Sequence, residues 1–186
     1  MKRRLSIGLG VLAVAVAVPF VTSTSVLANL QQAGEAIVQN VLQPQIKLVL
    51  NAEKQLITIN AEGEEVISWE ALEGNVSVQP GDVIRYTLTS ENAGDQPAAS
   101  LVTTQPIPQK TAYIAESARA NGAALTYSID KGQTFSAQPM IEATQPDGSV
   151  KMVPAPAEMY SHVRWDYSDS LEPMAMVRAV YEVAVQ

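Results

Sequence analysis

The feature that most constrains the fold is the segment of residues 80–95, which has a turn signal at each end. It opens with Pro80-Gly81 and closes with Asn92-Ala93-Gly94. Between the turns, an apolar set of side chains alternates with a polar set: Ile84, Tyr86 and Leu88 against Arg85, Thr87 and Thr89. This period of two predicts an antiparallel strand with one buried and one solvated face. We therefore predict a sheet organised around this strand.

Short runs of strand-like sequence, separated by turn signals roughly every ten residues, continue along the chain. They cover residues 45–53, 55–60, 66–72, 76–78, 101–104, 112–116, 124–129, 135–144, 150–153, 162–167 and 177–185. Pro106 and Pro108 each lack a backbone donor, so they predict a corner after the 101–104 strand. No segment after Pro44 predicts a helix of useful length. The pattern is that of an all-β sandwich.

The first 28 residues have the three parts of a secretory signal peptide. Three basic residues follow Met1, an apolar run extends over residues 7–21, and Val26-Leu27-Ala28 forms a small-residue cleavage site. The apolar run is shorter than the ~20 residues of a spanning helix. We therefore predict cleavage after Ala28, no membrane span in the mature chain, and export to the periplasm, cell surface or extracellular space.

Residues 29–44 form an N-terminal arm ahead of a β-sandwich domain at 45–186. The arm carries four apolar residues, Ile37, Val38, Val41 and Leu42. Their spacing fits a short helix that ends before Pro44, but a loose arm fits as well. Because a loose arm needs no apolar residues, our hypothesis is self-association, with the arm packing on a neighbour as a helix or as an added strand.

Charge and cysteine content exclude several classes of function. Loss of the leader, with three basic residues and no acidic one, would change the formal net charge from −7 to −10. An acidic chain without a basic stripe is a poor ligand for nucleic acid. The chain has no cysteine, which excludes disulfides and thiolate metal sites.

The sequence predicts no catalytic residue, no cofactor site and no metal site. His162 is the only histidine, and its neighbours Ser161 and Asp166 lie on the same predicted strand, where a triad cannot converge. We interpret His162 as a solvated or hydrogen-bonded residue beside Arg164, on the outward side of its strand. A zinc site needs three or more ligands, which one histidine and no cysteine do not supply.

Two alternatives for ligand binding stay open. Two acidic groups could hold calcium: Asp166, Asp169 and Glu172, or Glu62, Glu64 and Glu65. A solvated surface is the simpler interpretation of both groups. Seven aromatic residues could form a sugar-stacking platform: Trp69, Trp165, Tyr86, Tyr113, Tyr160, Tyr167 and Tyr181. At the spacing of a strand, however, positions in the core are favoured for them. We expect Trp165 to fill the space between the two sheets.

Residues 128–135, Ser-Ile-Asp-Lys-Gly-Gln-Thr-Phe, fit the Asp-box pattern S-x-D-x-G-x-T-[WF]. In sialidase-like propellers this box is a structural hairpin. We predict the same here, with Asp130 accepting local backbone N–H groups, Gly132 at positive φ and Phe135 anchoring the turn. One copy does not support a propeller.

From about residue 75 to residue 185 the chain resembles the bacterial surface repeat family called domain of unknown function eleven. The matching motifs occur in the family's order: Pro80-Gly81-Asp82, Tyr86-Thr87, Asn92-Ala93-Gly94, Pro106-Ile107-Pro108, Ser117, the 128–135 turn, His162-Val163-Arg164-Trp165 and Leu171-Glu172-Pro173. Relatives often have glycine at two corners where this chain has Lys110 and Met174. They also often occur as tandem copies, whereas this chain carries one.

The resemblance implies an immunoglobulin-like β-sandwich of exported and cell-wall-associated proteins, with no established reaction. Our leading hypothesis is an exported, non-enzymatic structural or adhesive module whose partners are proteins or cell-surface components. The alternatives are a carbohydrate-binding module and an envelope enzyme that acts on glycans through two carboxylates. Such carboxylates converge only in space, so sequence alone does not exclude them.

The exported protein should begin at Asn29, because a signal peptidase cleaves after the small residue of the A-x-A-like site. Intact-mass spectrometry of the exported form measures this directly. A mass that still includes residues 1–28 would show that the segment is an anchor.

Overall fold

The computed structural model describes residues 5–6, 15–17, 43–74 and 77–186. Most of the predicted signal peptide and nearly all of the predicted arm therefore lie outside the described residues. Two short strands come from the leader region, β1 (Leu5–Ser6) and β2 (Ala15–Ala17).

The described residues are almost entirely β-structure, as predicted. The remaining strands are β3 (Ile46–Ile59), β4 (Glu65–Ala71), β5 (Ser77–Val78), β6 (Val83–Asn92), β7 (Val102–Pro106), β8 (Thr111–Tyr113), β9 (Arg119–Ala120), β10 (Ala123–Ser128), β11 (Met140–Thr144), β12 (Val150–Pro154), β13 (His162–Tyr167) and β14 (Met176–Val185). One 3₁₀ turn covers Ala157–Met159. Within the described ranges, no helix has the length and apolar character needed to cross a bilayer.

Two antiparallel sheets enclose the core. The larger sheet has the order β4-β3-β6-β14-β8, with β9 also paired to β14, and the smaller has the order β10-β13-β7-β2. Two further antiparallel pairs, β11-β12 and β1-β5, lie outside these sheets. β6, the strand from which the sequence analysis began, is the central strand of the larger sheet.

The core lies between the two sheets and follows the predicted alternation. On β6, the even-numbered side chains from Ile84 to Asn92 are buried and the odd-numbered ones are not. Trp165 of β13 is fully buried, and its ring lies 5.9 Å from that of Tyr181 on β14. The expectation that Trp165 fills the space between the sheets is therefore confirmed.

Three strands differ from the prediction. Residues 46–59 form one strand of 14 residues and not two, because the first part pairs with β6 and the rest with β4. The predicted 135–144 strand begins only at Met140. β7 extends to Pro106, which is tolerated as the last residue of a strand and lies opposite His162.

Asn92, at the end of β6, ties three distant segments together. Its side-chain Oδ1 accepts hydrogen bonds from the Gln45 and Gly94 amides, and its Nδ2 donates to the Gln96 and Leu171 carbonyls. Asn92 is fully buried, so an amide with all four bonds made is the arrangement that burial requires. Gly94 is needed beside it because a Cβ there would collide with the backbone of residues 43–45.

Trp165→Ala should destabilise the protein by about 3–5 kcal/mol, the usual cost of removing a fully buried tryptophan. Urea denaturation measures the loss. Trp69→Ala is the matched control, since Trp69 is only half-buried on the outside of the larger sheet and should cost clearly less. Equal losses would show that the two faces are assigned wrongly.

Candidate functional site

The solvent-directed face of the larger sheet, called the outer face below, is the most distinctive surface of the described residues. The strand registers place on it the odd-numbered residues of β3, β4 and β6 and the even-numbered residues of β14. By strand, these include Val49, Asn51, Glu53, Ile57 and Ile59 of β3; Glu65, Ile67 and Trp69 of β4; Arg85, Thr87 and Thr89 of β6; and Met176, Arg178, Val180 and Glu182 of β14.

One end of the outer face is an apolar hairpin arm, residues 55–69. β3 pairs with β6 only as far as Lys54, so beyond that residue β3 and β4 continue as a two-stranded ribbon. Ile57 and Ile67 lie opposite each other and are each 56% exposed, and Ile59 is 65% exposed. Large apolar side chains grouped at such exposure are typical of interaction sites.

The middle of the outer face is held rigid by a stacked arginine. The guanidinium of Arg85 lies 3.5 Å from the ring centroid of Trp69, and its Nη2 donates to Glu182 Oε1 over 2.9 Å. Arg119 approaches the same carboxylate oxygen at 3.9 Å. Cation–π stacking and a charge-assisted hydrogen bond together fix the Arg85 side chain, so this part of the face is preformed.

The other end of the outer face is concave and carries two arginines. A depression of about 520 Å³ lies between the end of β4 and Arg178 and is also lined by Glu53 and Glu73, whereas a second of about 320 Å³ lies between Arg178 and Arg119 and has no acidic residue in its lining. Met176, which is 54% exposed, and Val180 line the second depression. Within residues 43–74 and 77–186, no carboxylate lies within salt-bridge distance of Arg178.

The tip of the hairpin arm is acidic. Asn60 Oδ1 accepts from the Glu62 and Glu64 amides, which shapes the turn, and Glu65 follows opposite Ile59 on the outer face. The outer face therefore runs from an apolar end with an acidic tip to a concave end with two arginines.

The Asp-box segment forms the structural turn that the sequence predicts. Asp130 accepts hydrogen bonds from the Gln133 and Thr134 amides and from the Thr134 hydroxyl, the last at 2.6 Å. Ser128 Oγ accepts from the Gly132 amide, and Gly132 has φ of 85°. The Thr134 bonds, with that of Ser128, hold the pKa of Asp130 well below its usual range.

His162 packs on this turn and is not freely solvated. Its ring lies against Gly132, where a Cβ would come within 3.3 Å of Cε1, and its Nδ1 is 3.1 Å from Ser161 Oγ. Ser161 Oγ also lies 3.1 Å from the Ser128 carbonyl. Burial lowers the pKa of His162. Asp166 is four residues further along β13, about 13 Å away at the rise of a strand, so the three groups do not form a triad.

Most of the aromatic residues lie in the core, as favoured from the sequence. Tyr86, Tyr113, Tyr167, Tyr181 and Trp165 are buried, and Tyr160 stacks on Tyr113. Burial raises the pKa of Tyr167 to about 12. Trp69 and Phe135 lie nearer the surface, and one ring face of each is occupied by an arginine, Arg85 or Arg164. A sugar could stack on that side only by displacing the guanidinium.

Neither acidic group gathers into a cation site. In the part of the chain that the structure describes, no three Asp, Glu or His side chains come close enough together to hold a metal ion. Glu64 accepts from the Asn60 amide and Glu172 accepts from Ser170. One carboxylate of each group, Glu64 and Glu172, therefore bonds within its own turn.

Comparison with known proteins gives no relative: no family model, no curated protein and no solved structure matches the chain. The outer face must therefore be interpreted from its own geometry.

Sequence reasoning did not identify the outer face as a site. The alternation places Ile57 and Ile59 on one side of a strand, but it does not show that β6 ends its pairing at Lys54 and leaves them uncovered. The signal that could have found them is the polar 61–65 turn directly after an isoleucine pair, which is typical of a hairpin.

Acid should weaken the Asp-box turn. Because the pKa of Asp130 is lower in the folded protein, its contribution to stability is complete above the unfolded value of 3.8 and is lost as the pH falls towards the folded pKa. We expect Asp130→Asn to lower the urea midpoint at pH 7, with the difference from wild type shrinking as the pH falls below 3.8.

Thr134→Val, which removes the hydroxyl donor, should show part of the same effect. Urea midpoints measured across this pH range for the three proteins test the assignment. A difference that is independent of pH would show that the charge of Asp130 does not stabilise the turn.

Proposed function

We propose that this chain is an exported, non-enzymatic interaction module of the cell envelope or surface, and that it binds through the outer face of its larger sheet. The observation that carries the proposal is the hairpin arm, where Ile57, Ile59 and Ile67 are each more than half exposed. Leaving several isoleucines in water is unfavourable by roughly 25 cal/mol per Å² of apolar surface, so a partner that covers them gains that amount.

Export is supported by the sequence of residues 1–28, which has the charged, apolar and small-residue parts of a signal peptide. The absence of cysteine fits a domain that is stabilised by its core and not by disulfides. Among the described residues, sixteen buried apolar side chains form one continuous core across both sheets.

We further propose that the sandwich is immunoglobulin-like and belongs with the surface repeat family that the sequence resembles. The two corners where relatives often have glycine support this. Lys110 and Met174 occupy them with φ of 63° and 64°, a conformation that glycine adopts far more readily than other residues. Both corners therefore have the positive φ that is typical of glycine, although neither residue is a glycine.

The outer face suits protein contact better than sugar binding. It combines exposed isoleucine and methionine with a fixed arginine–tryptophan stack and charges at both ends. Apolar residues surrounded by charged groups are the usual composition of a protein interface.

The test is retention on washed cell envelopes. The chain is produced from its full coding sequence in an exporting bacterium, purified as the host releases it, and mixed with envelopes of the same host, which carry the exported chain. Ile57→Asp/Ile67→Asp should reduce retention at least about tenfold, because charges replace the apolar contact, a loss of about 1.4 kcal/mol or more.

The matched control is Val150→Asp/Met152→Asp, on the separate β11-β12 hairpin. These two residues are as exposed as the isoleucines, at 62% and 53%, but lie outside the outer face. The control should be retained like wild type. Equal retention of all three proteins, or a chain that stays unprocessed in the cytosol, would overturn the proposal.

A further inference from the structure

We infer that the partner of the outer face is a second copy of this chain, packed face to face around a two-fold axis. This inference rests on the proposed function, since it names the partner of that surface. Two properties of the outer face carry it: the two ends complement each other in charge and shape, and the area matches that of a stable dimer.

The complementary ends lie on the same sheet face, as an isologous contact requires. The hairpin arm extends beyond the pairing with β6, is apolar and is tipped by Glu62 and Glu65, whereas the other end is concave and lined by Met176, Arg178 and Arg119. A two-fold axis in the interface plane, oblique to the strands, places each arm over the concave end of the other copy. Each contact between a residue of one copy and a residue of the other then occurs twice, with the two copies exchanged.

The two ends are far enough apart for both contacts to form at once. Arg178 lies opposite Thr89, which lies opposite Val49, and Ile59 is ten residues further along β3. At the rise of a strand this is about 33 Å. Each copy can therefore offer its arm at one end and its depression at the other without overlap. The two sheets then cross obliquely, as packed sheets do, with an angle on the order of 30°.

Charge complementarity fixes the orientation. Arg178 has no carboxylate at salt-bridge distance among the described residues, and the side chain of Arg119 is 65% exposed. In the face-to-face dimer these arginines meet the Glu62 and Glu65 tip of the other copy. A parallel arrangement would instead bring the two acidic tips together, which like charges disfavour.

The area agrees with a stable dimer. β3, β4, β6 and β14 contribute 14, 7, 10 and 10 residues to the face. At about 3.3 Å per residue and about 4.8 Å between strands, the face projects to roughly 650 Å². Side-chain relief adds to this, which brings it close to the ~800 Å² per partner of a standard interface. The hairpin arm alone is too small for a stable contact, so the whole outer face takes part.

Charge reversal tests the inference in solution, without envelopes. Sedimentation equilibrium or light scattering over a concentration series gives the dimer dissociation constant. Arg178→Glu should weaken the dimer at least about tenfold, and Glu62→Lys/Glu65→Lys should do the same. The variant that carries all three substitutions restores opposite charges across the interface and should return close to the wild-type constant.

Two further variants separate this face from others. Ile57→Asp/Ile67→Asp should give a monomer, whereas Val150→Asp/Met152→Asp should dimerise like wild type. Circular dichroism and urea midpoints confirm that each variant is folded.

Some results would overturn the inference. These are a wild-type monomer at high micromolar concentration, a dimer that the β11-β12 control disrupts equally, or a triple variant that stays dissociated. Failure here is distinguishable from failure of the proposed function. A monomer that still binds envelopes through Ile57 and Ile67 overturns the dimer and leaves the proposed function standing. A dimer that envelopes do not retain overturns the proposed function and leaves the face-to-face contact standing.

Discussion

The fold depends on one buried side chain, Asn92, whose amide makes all four of its hydrogen bonds. The bonds join the start of β3, the loop after β6 and the segment before β14, and the most distant partner lies 79 residues from Asn92 in the sequence. Each bond made in a buried site avoids an unsatisfied polar group that would cost about 1–3 kcal/mol. The ends of the central strands are thereby aligned, and the registers of β3, β6 and β14 follow from that alignment.

That alignment separates the two faces of the larger sheet. Once β6 is in register, its even-numbered side chains point into the core and its odd-numbered ones, with those of β3 and the partners on β14, point outward. The buried face needs close packing around Trp165 and Tyr181. The outer face has no such requirement, and we propose that its isoleucine, methionine and arginine side chains serve binding.

Alternation and turn residues were enough to predict the sandwich, the alternating burial of the strand in residues 80–95 and the burial of Trp165. The Asp-box turn was also predicted, because Asp130, Gly132 and Thr134 act on neighbouring backbone groups, and local contacts are visible in sequence. The candidate site was not predicted. The exposure of Ile57 and Ile67 depends on where β6 stops pairing with β3, and such long-range registers are set by tertiary contacts that no local pattern reports.

The change of partner along β3 also has a mechanical consequence. One continuous strand carries both the hairpin arm and the nine residue pairs, from Ile46 to Lys54, that join it to β6. When the hairpin arm is held and the domain is pulled along that strand, the load acts parallel to the β3–β6 ladder. All nine pairs then share the force and must break together. This takes a far larger force than separating the two strands one pair at a time. The geometry that leaves the arm exposed therefore also suits it to bear tension.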